Sequence, residues 1–282
     1  MRLAVLASAV RLAAASRARL LSSAAFPGVQ IEQFPCLRDN YGYLLHDVAT
    51  GATAAIDTPE VAPILSALSR RGWRLSHVLN THHHHDHAGG NAELVRLTGC
   101  HVVAPAAEAE KIGGVSAAVR GGESFALGAL RVDVLDVGGH TLGHVAYHLP
   151  DAGVAFVGDA LFALGCGRLF EGTAAQAHAS LQRLAALPRE TVLYCAHEYT
   201  LANLAFARAV EPGNAALAAR GGEIEKLRAH GLPTVPSTLA VELETNPFLR
   251  TGSPLLREHL GISADEADVD VFARLRRMKD AA

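Results

Sequence analysis

Val29 and Ile31, and later Leu130, Val132 and Val134, alternate with polar neighbours. A period of two marks strands with one buried face. The run 154–157, and 192–195 within 191–195, are apolar throughout and predict strands covered on both faces. Further strands are predicted over 29–34, 41–46, 53–57, 76–81, 101–104, 130–137 and 144–149. Helical spacing predicts 59–71, closed by Gly72, and then 90–98, 106–112 and 174–186. Past residue 198 the strand signal nearly vanishes, and 201–210, 214–229, 254–260 and 269–279 read as helices. Strands with helices, then helices alone, predict two units: 29–198 and 199–282.

Half of the 282 residues are hydrophobic, enough for a substantial core. The formal charge of −3 carries no basic bias, so no nucleic-acid partner is expected. No run is apolar enough to span a membrane, and none is expected to. Cys36, Cys100, Cys166 and Cys195 form no CxxC pair and are expected to be reduced and buried. Arg2, Arg11, Arg17 and Arg19 lie among Ala, Leu and Ser, with no acid before Glu32. That composition reads as a transit peptide over 1–28, with the mitochondrial matrix as destination and a plastid as the alternative. Taking those four arginines from the 25 basic residues leaves 21 against 28 acids, a net of −7.

Candidate chemistry concentrates at residues 81–87, Thr-His-His-His-His-Asp-His, directly after a predicted strand. Neutral imidazole is the commonest metal ligand. His82 with His84, and Asp86 with His87, offer two ligand pairs for two metals. His140, Asp159 and His197 stand where later predicted strands give way to loops. A carboxylate such as Asp159 can bridge two cations. His144 is read as structural, and Asp57, closing its own strand, as a carboxylate that orients a ligand histidine.

The segments THHHHDHAGG, GGHTLGH, VGDALF and CAHEYT, in that order, resemble the metallo-β-lactamase superfamily. GCGRLFEGT, CAHEYTLANLAFA, EPGN, PTVPSTLAVELETNPFLR and the final RRMKD narrow the resemblance to glyoxalase II, the hydroxyacylglutathione hydrolases. The resemblance implies an α/β fold: an αββα metallo-β-lactamase sandwich followed by a small all-helical C-terminal domain that binds glutathione. It implies two divalent metal ions, zinc first, with iron or manganese as alternatives. His82, His84 and His140 would hold one ion, and Asp86, His87 and His197 the other, with Asp159 between them. Arg168, Phe170, Tyr199, Asn203, Arg276 and Lys279 would contact glutathione. Phe170 stands where some members carry tyrosine, and can only pack.

The implied reaction is hydrolysis of S-D-lactoylglutathione to glutathione and D-lactate by a monomer. Asp86 and Asp159 serve catalysis with hydroxide generated on the metals, since a metal lowers the pKa of bound water to about 7. The thiol leaving group, with a pKa near 8.5, needs little acid assistance. No G-x-S-x-G elbow competes with this reading. A mononuclear iron persulfide dioxygenase would share part of the ligand set, and a lactonase is a second alternative. The helical tail with NPFLR and the Arg-x-x-Lys ending argue against both.

Overall fold

Two six-stranded sheets face each other across a shared apolar layer. The computed structural model describes Phe26 and residues 28–282. The expected transit peptide over 1–28 therefore lies outside the described residues, apart from Phe26 and Gly28.

The first sheet follows chain order: β1 (Val29–Cys36), β2 (Asn40–Asp47), β3 (Thr53–Ile56), β4 (His77–Leu79), β5 (His101–Pro105) and β6 (Val115–Val119). Turns join β1 to β2 and β2 to β3 antiparallel, and from β3 onward the pairing is parallel. Parallel neighbours need crossovers. Here these are α1 (Val61–Arg71), then α2 (His85–Ala88) with α3 (Asn91–Thr98), and from β5 to β6 the turns at 106–114. Gly72, left-handed at φ 68°, ends α1 as its position in the sequence predicts.

The second sheet holds β7 (Ser124–Leu127), β8 (Leu130–Asp136), β9 (Val145–Leu149) and β10 (Val154–Gly158) in one antiparallel meander. A hairpin of β11 (Leu161–Phe162) and β12 (Gly165–Cys166) follows, and then α4 (Ala174–Ala185). Thr173 and Gln176 form a capping box that starts α4. β13 (Val192–Cys195) returns parallel to β10, and β14 (Ser237–Thr238) closes the edge. Helices fill the rest: α5 (Thr200–Val210), α6 (Ala215–Ala229), α7 (Leu239–Thr245), α8 (Pro254–His259) and α9 (Asp268–Asp280).

Three buried clusters make this a four-layer αββα sandwich followed by helices, the expected fold class. Between the sheets, Tyr43, Leu45, Ile56 and Leu79 meet Val132, Tyr147, Phe156 and Tyr194. Outside the first sheet, Ile64, Leu68 and Leu94 cover Leu44, Val78 and Val102. Outside the second, Leu181, Phe206, Phe248 and Phe272 cover Ala155, Val157 and Leu193. Each such Leu or Phe contributes about 2 kcal/mol by leaving water.

Some elements differ from expectation. Residues 106–112 are successive turns, not a helix, and bury Glu108. β6 and β7 were not predicted, because Ala, Ser and exposed positions dilute their alternation. The four cysteines are free and buried, as expected. No helix of the described residues is long and apolar enough to cross a membrane.

Candidate metal centre

Strand ends deliver the candidate donors to one edge of the sandwich. Thr81 and His82 follow β4 closely, Asp159 follows β10 directly, and His197 lies two residues past β13. His140 sits in the loop between β8 and β9, and α2 carries Asp86 and His87. The donor atoms of His82, His84 and His140 lie within 4.8 Å of one another, as do those of Asp86, His87 and His197. Asp159 stands between the two triplets. Its Oδ2 is 3.3 Å from His140 Nε2, and its Oδ1 is 3.5 Å from both His87 Nε2 and His197 Nε2.

Whether a cation suits this set can be read from the atoms. His84 Nδ1 lies 3.0 Å from His82 Nε2 and 3.1 Å from His140 Nε2. His87 Nε2 and Asp159 Oδ1 are buried without a hydrogen-bond partner. Buried polar atoms are rarely left so, and an ion is one reason for it. Burial, reinforced by neighbouring imidazoles, holds His82, His84 and His140 below the usual imidazole range. Neutral imidazole is the form that binds metal. Burial also pulls His87 and His197 down, but Asp159 outweighs it and carries His197 up to about 10. Burial raises Asp159 and Asp86, yet His87 and His197 hold both well below the usual carboxylate range. Cations would replace the protons that these carboxylates draw onto the histidines. The residues fit divalent cations.

Outer bonds fix the rings. Asp57 accepts His87 Nδ1–H at 2.9 Å. Thr81 Oγ1 donates to Asp57 and lies 3.0 Å from His82 Nδ1. His140 Nδ1–H donates to the Arg168 carbonyl at 2.8 Å, leaving Nε2 for the cluster. His144 stacks under His82 and its Nε2 accepts the Asp159 backbone N–H. Sequence reasoning missed Asp39 and Asn40. Asp39 accepts His197 Nδ1–H at 2.8 Å, and Asn40 donates to Asp86 Oδ2 at 3.1 Å. The signal available was Asp-Asn-Tyr at a strand start, which looks like any polar turn.

The expected glutathione contacts divide. Phe170 is 63% exposed and meets His84 and His140 edge-on. Tyr199 stacks on His197 with ring centres 4.7 Å apart. Arg168 is exposed, 3.8 Å from Asp280. Lys279 Nζ donates to the Ala202 carbonyl over the Phe206 ring. Arg276 is buried, bonded to Asp280 and the Cys166 carbonyl. Asn203 is buried too, its amide on the Ala163 carbonyl.

Comparison with known proteins settles the family. Residues 38–197 match the metallo-beta-lactamase superfamily, and 198–282 match the hydroxyacylglutathione hydrolase C-terminus. A hydroxyacylglutathione hydrolase of Methylococcus capsulatus is 56% identical over 252 residues, 89% of this chain and 98% of that one. One from Maricaulis maris is 53% identical over 251 residues, with the same coverage. The chain belongs to the hydroxyacylglutathione hydrolase family. Among solved structures, ETHE1 from Myxococcus xanthus superposes with a TM-score of 0.61 at 25% identity, covering 88% of this chain and 89% of that one. TTHA1623, solved in a di-iron-bound form, gives 0.56 at 25% identity, covering 77% and 98%.

Hydroxyacylglutathione hydrolases of bacteria also include those of Rhizobium meliloti and Hyphomonas neptunium, at 51% and 50% identity. This bacterial company overturns the expected mitochondrial or plastid location. That expectation rested on the composition of residues 1–28 alone, and an Arg- and Ser-rich, acid-free segment is not a property of organellar addresses only.

Proposed function

We propose that this family member hydrolyses S-D-lactoylglutathione to glutathione and D-lactate with two divalent cations, zinc being the first to test. The observation that carries the reading is Asp159, which turns one oxygen toward each of two donor triplets. His82, His84 and His140 would hold one cation, and Asp86, His87 and His197 the other. The di-iron form of TTHA1623 supports paired occupancy in this fold. When bound, such cations lower the pKa of a coordinated water toward about 7 and polarise a carbonyl.

The chain's own residues do the remaining work. Asp57 and Asp39 keep His87 and His197 with Nε2 inward. His140 is held by the backbone of Arg168, whose exposed guanidinium would take a glutathione carboxylate. Lys279 is a second cation for the same anion, and Tyr199 stacks on one donor ring while Phe170 meets two others edge-on. Arg276 and Asn203 would act by holding the Ala163–Cys166 hairpin under Arg168. The acyl carbon exchanges its bond to sulfur for one to a water oxygen. The departing thiolate is stable enough to leave with little protonation, its thiol having a pKa near 8.5. Residues 29–198 would carry the donors, and 199–282 most of the glutathione contacts.

The test is glutathione release from S-D-lactoylglutathione, with metal content measured on the same sample. Rapid release with two metals per chain, lost in His87→Ala, is expected. A fully metallated protein that releases none overturns the reading. One iron per chain with oxygen uptake on glutathione persulfide would replace it with the dioxygenase.

A further inference from the structure

Glu108 lies in the turns between β5 and β6 and is 2% exposed. A buried carboxylate is costly unless its oxygens are fully bonded. Oε2 accepts the His83 backbone N–H at 2.7 Å and lies 2.8 Å from His83 Nδ1. Oε1 accepts the Gly143 backbone N–H at 2.8 Å. His83 stands between the donors His82 and His84, and Gly143 lies three residues past the donor His140. One carboxylate therefore grips both loops that build the first triplet, one oxygen to each.

We propose that Glu108 is a positioning residue, which sets the spacing of His82, His84 and His140 for cation capture through the backbone of their two loops. The proposal rests on the reading of those histidines as metal ligands. Charge-assisted bonds of this kind are roughly twice as strong as neutral ones. The first triplet needs such a grip. The outward ring nitrogens of His87 and His197 rest on carboxylates, whereas those of His82 and His140 rest on the Thr81 hydroxyl and the Arg168 carbonyl.

The glycine at 143 belongs to the same device. A Cβ there would stand 2.7 Å from Glu108 Cγ and 2.7 Å from Ala107 Cβ, closer than real contacts allow. The loop reaches the carboxylate only because residue 143 has no side chain. Glu171 braces the outer side, accepting the Leu142 N–H at 2.9 Å while Lys111 pairs with its other oxygen at 3.0 Å. His83, Glu108 and Glu171 also gather closely enough to suggest a third cation site. Both Glu108 oxygens already accept N–H groups, however, and the Lys111 ammonium occupies Glu171, so the cluster acts as a clamp.

The test is zinc binding by the full chain, titrated against a competing chelator, in the parent protein, Glu108→Gln and Gly143→Ala. Glutamine turns one accepting oxygen into a donor that faces an N–H. Alanine pushes the carboxylate away from the opposite side. In both variants one of two zinc affinities should fall 10- to 100-fold, the usual scale for an outer partner of a ligand, while the other holds. With S-D-lactoylglutathione, kcat should fall and KM should stay. Two zinc ions bound at parent affinity in both variants would overturn the proposal. So would an equal loss at both sites, the mark of a general structural role. A parent chain that binds no zinc, iron or manganese overturns the ligand reading itself. The isotherms decide the point even where the thioester proves not to be the substrate.

Discussion

The Asp57 carboxylate lies 2.9 Å from His87 Nδ1 and takes the Thr81 backbone N–H on its other oxygen at 2.8 Å. It therefore fixes the His87 tautomer and ties that ring to the loop carrying His82. Asp57 sits at φ 58°, a left-handed conformation that few side chains adopt. Asp57→Asn should weaken one cation site 10- to 100-fold and lower kcat, with KM little changed. Chelator competition together with steady-state kinetics checks this, and unchanged affinity would show that His87 needs no such anchor.

Removing metal should abolish hydrolysis and lower the unfolding temperature. Cations that bind only the folded chain add about 4 kcal/mol at a thousandfold excess over Kd. Dialysis against a chelator, then zinc replacement, should remove and restore both properties together. Activity that survives exhaustive chelation would count against every metal-based account of the centre.

Arg168→Ala and Lys279→Ala should each raise KM about fivefold and leave kcat nearly intact, the scale of about 1 kcal/mol for a partly exposed ion pair. Kinetics with S-D-lactoylglutathione reads the split. A fall in kcat at constant KM would move these residues from holding the glutathione tail to serving the reacting bond.

Glu211 is buried beyond the end of α5, and its carboxylate meets Arg250 at 2.8 and 2.9 Å and Asn214 at 2.9 Å. Burial opposes its ionisation, but Arg250 and Ser253 outweigh it and hold the carboxyl below its usual range. A depressed folded pKa stabilises the protein above the unfolded value of about 4.3, and that stability is lost as pH falls through the folded value. Glu211→Gln should cost about 3 kcal/mol at neutral pH, because it leaves Arg250 unpaired. Its stability should also fall less steeply than the parent's below about pH 4.3. Urea unfolding across that range tests both, and parallel acid limbs would place the acid sensitivity elsewhere.

The candidate donors were legible because His82, Asp159 and His197 interrupt or close apolar strands, where a charged or polar side chain has no packing reason to be. The sandwich was legible for the same reason, since VAFV and VLYC have no polar face and must be covered twice. Glu108 was not, because Ala-Ala-Glu-Ala-Glu at 106–110 has helical composition while tertiary bonds to His83 and Gly143 hold it in turns. Asp39 sits among polar neighbours, and its task shows only once the bridge between Asn40 and His197 brings its carboxylate to the His197 ring. Arg276, expected to contact glutathione, is buried against the Phe248 ring and the Cys166 carbonyl, packing that its place near the end of a helix does not announce.

β10 and β13 run side by side in parallel, so Asp159 and His197 leave them as neighbours. Such a pair cannot be joined by a tight turn. The whole of the intervening chain, α4 included, must be made and folded back before His197 arrives. On the ribosome the donor set thus closes late, once both sheets are nearly complete. Before that, the loop at 82–87 would offer only part of the proposed donor set. For the proposed centre, the order of residues along the chain would therefore leave the choice among available ions to a protein whose two sheets are nearly complete rather than to a short nascent peptide.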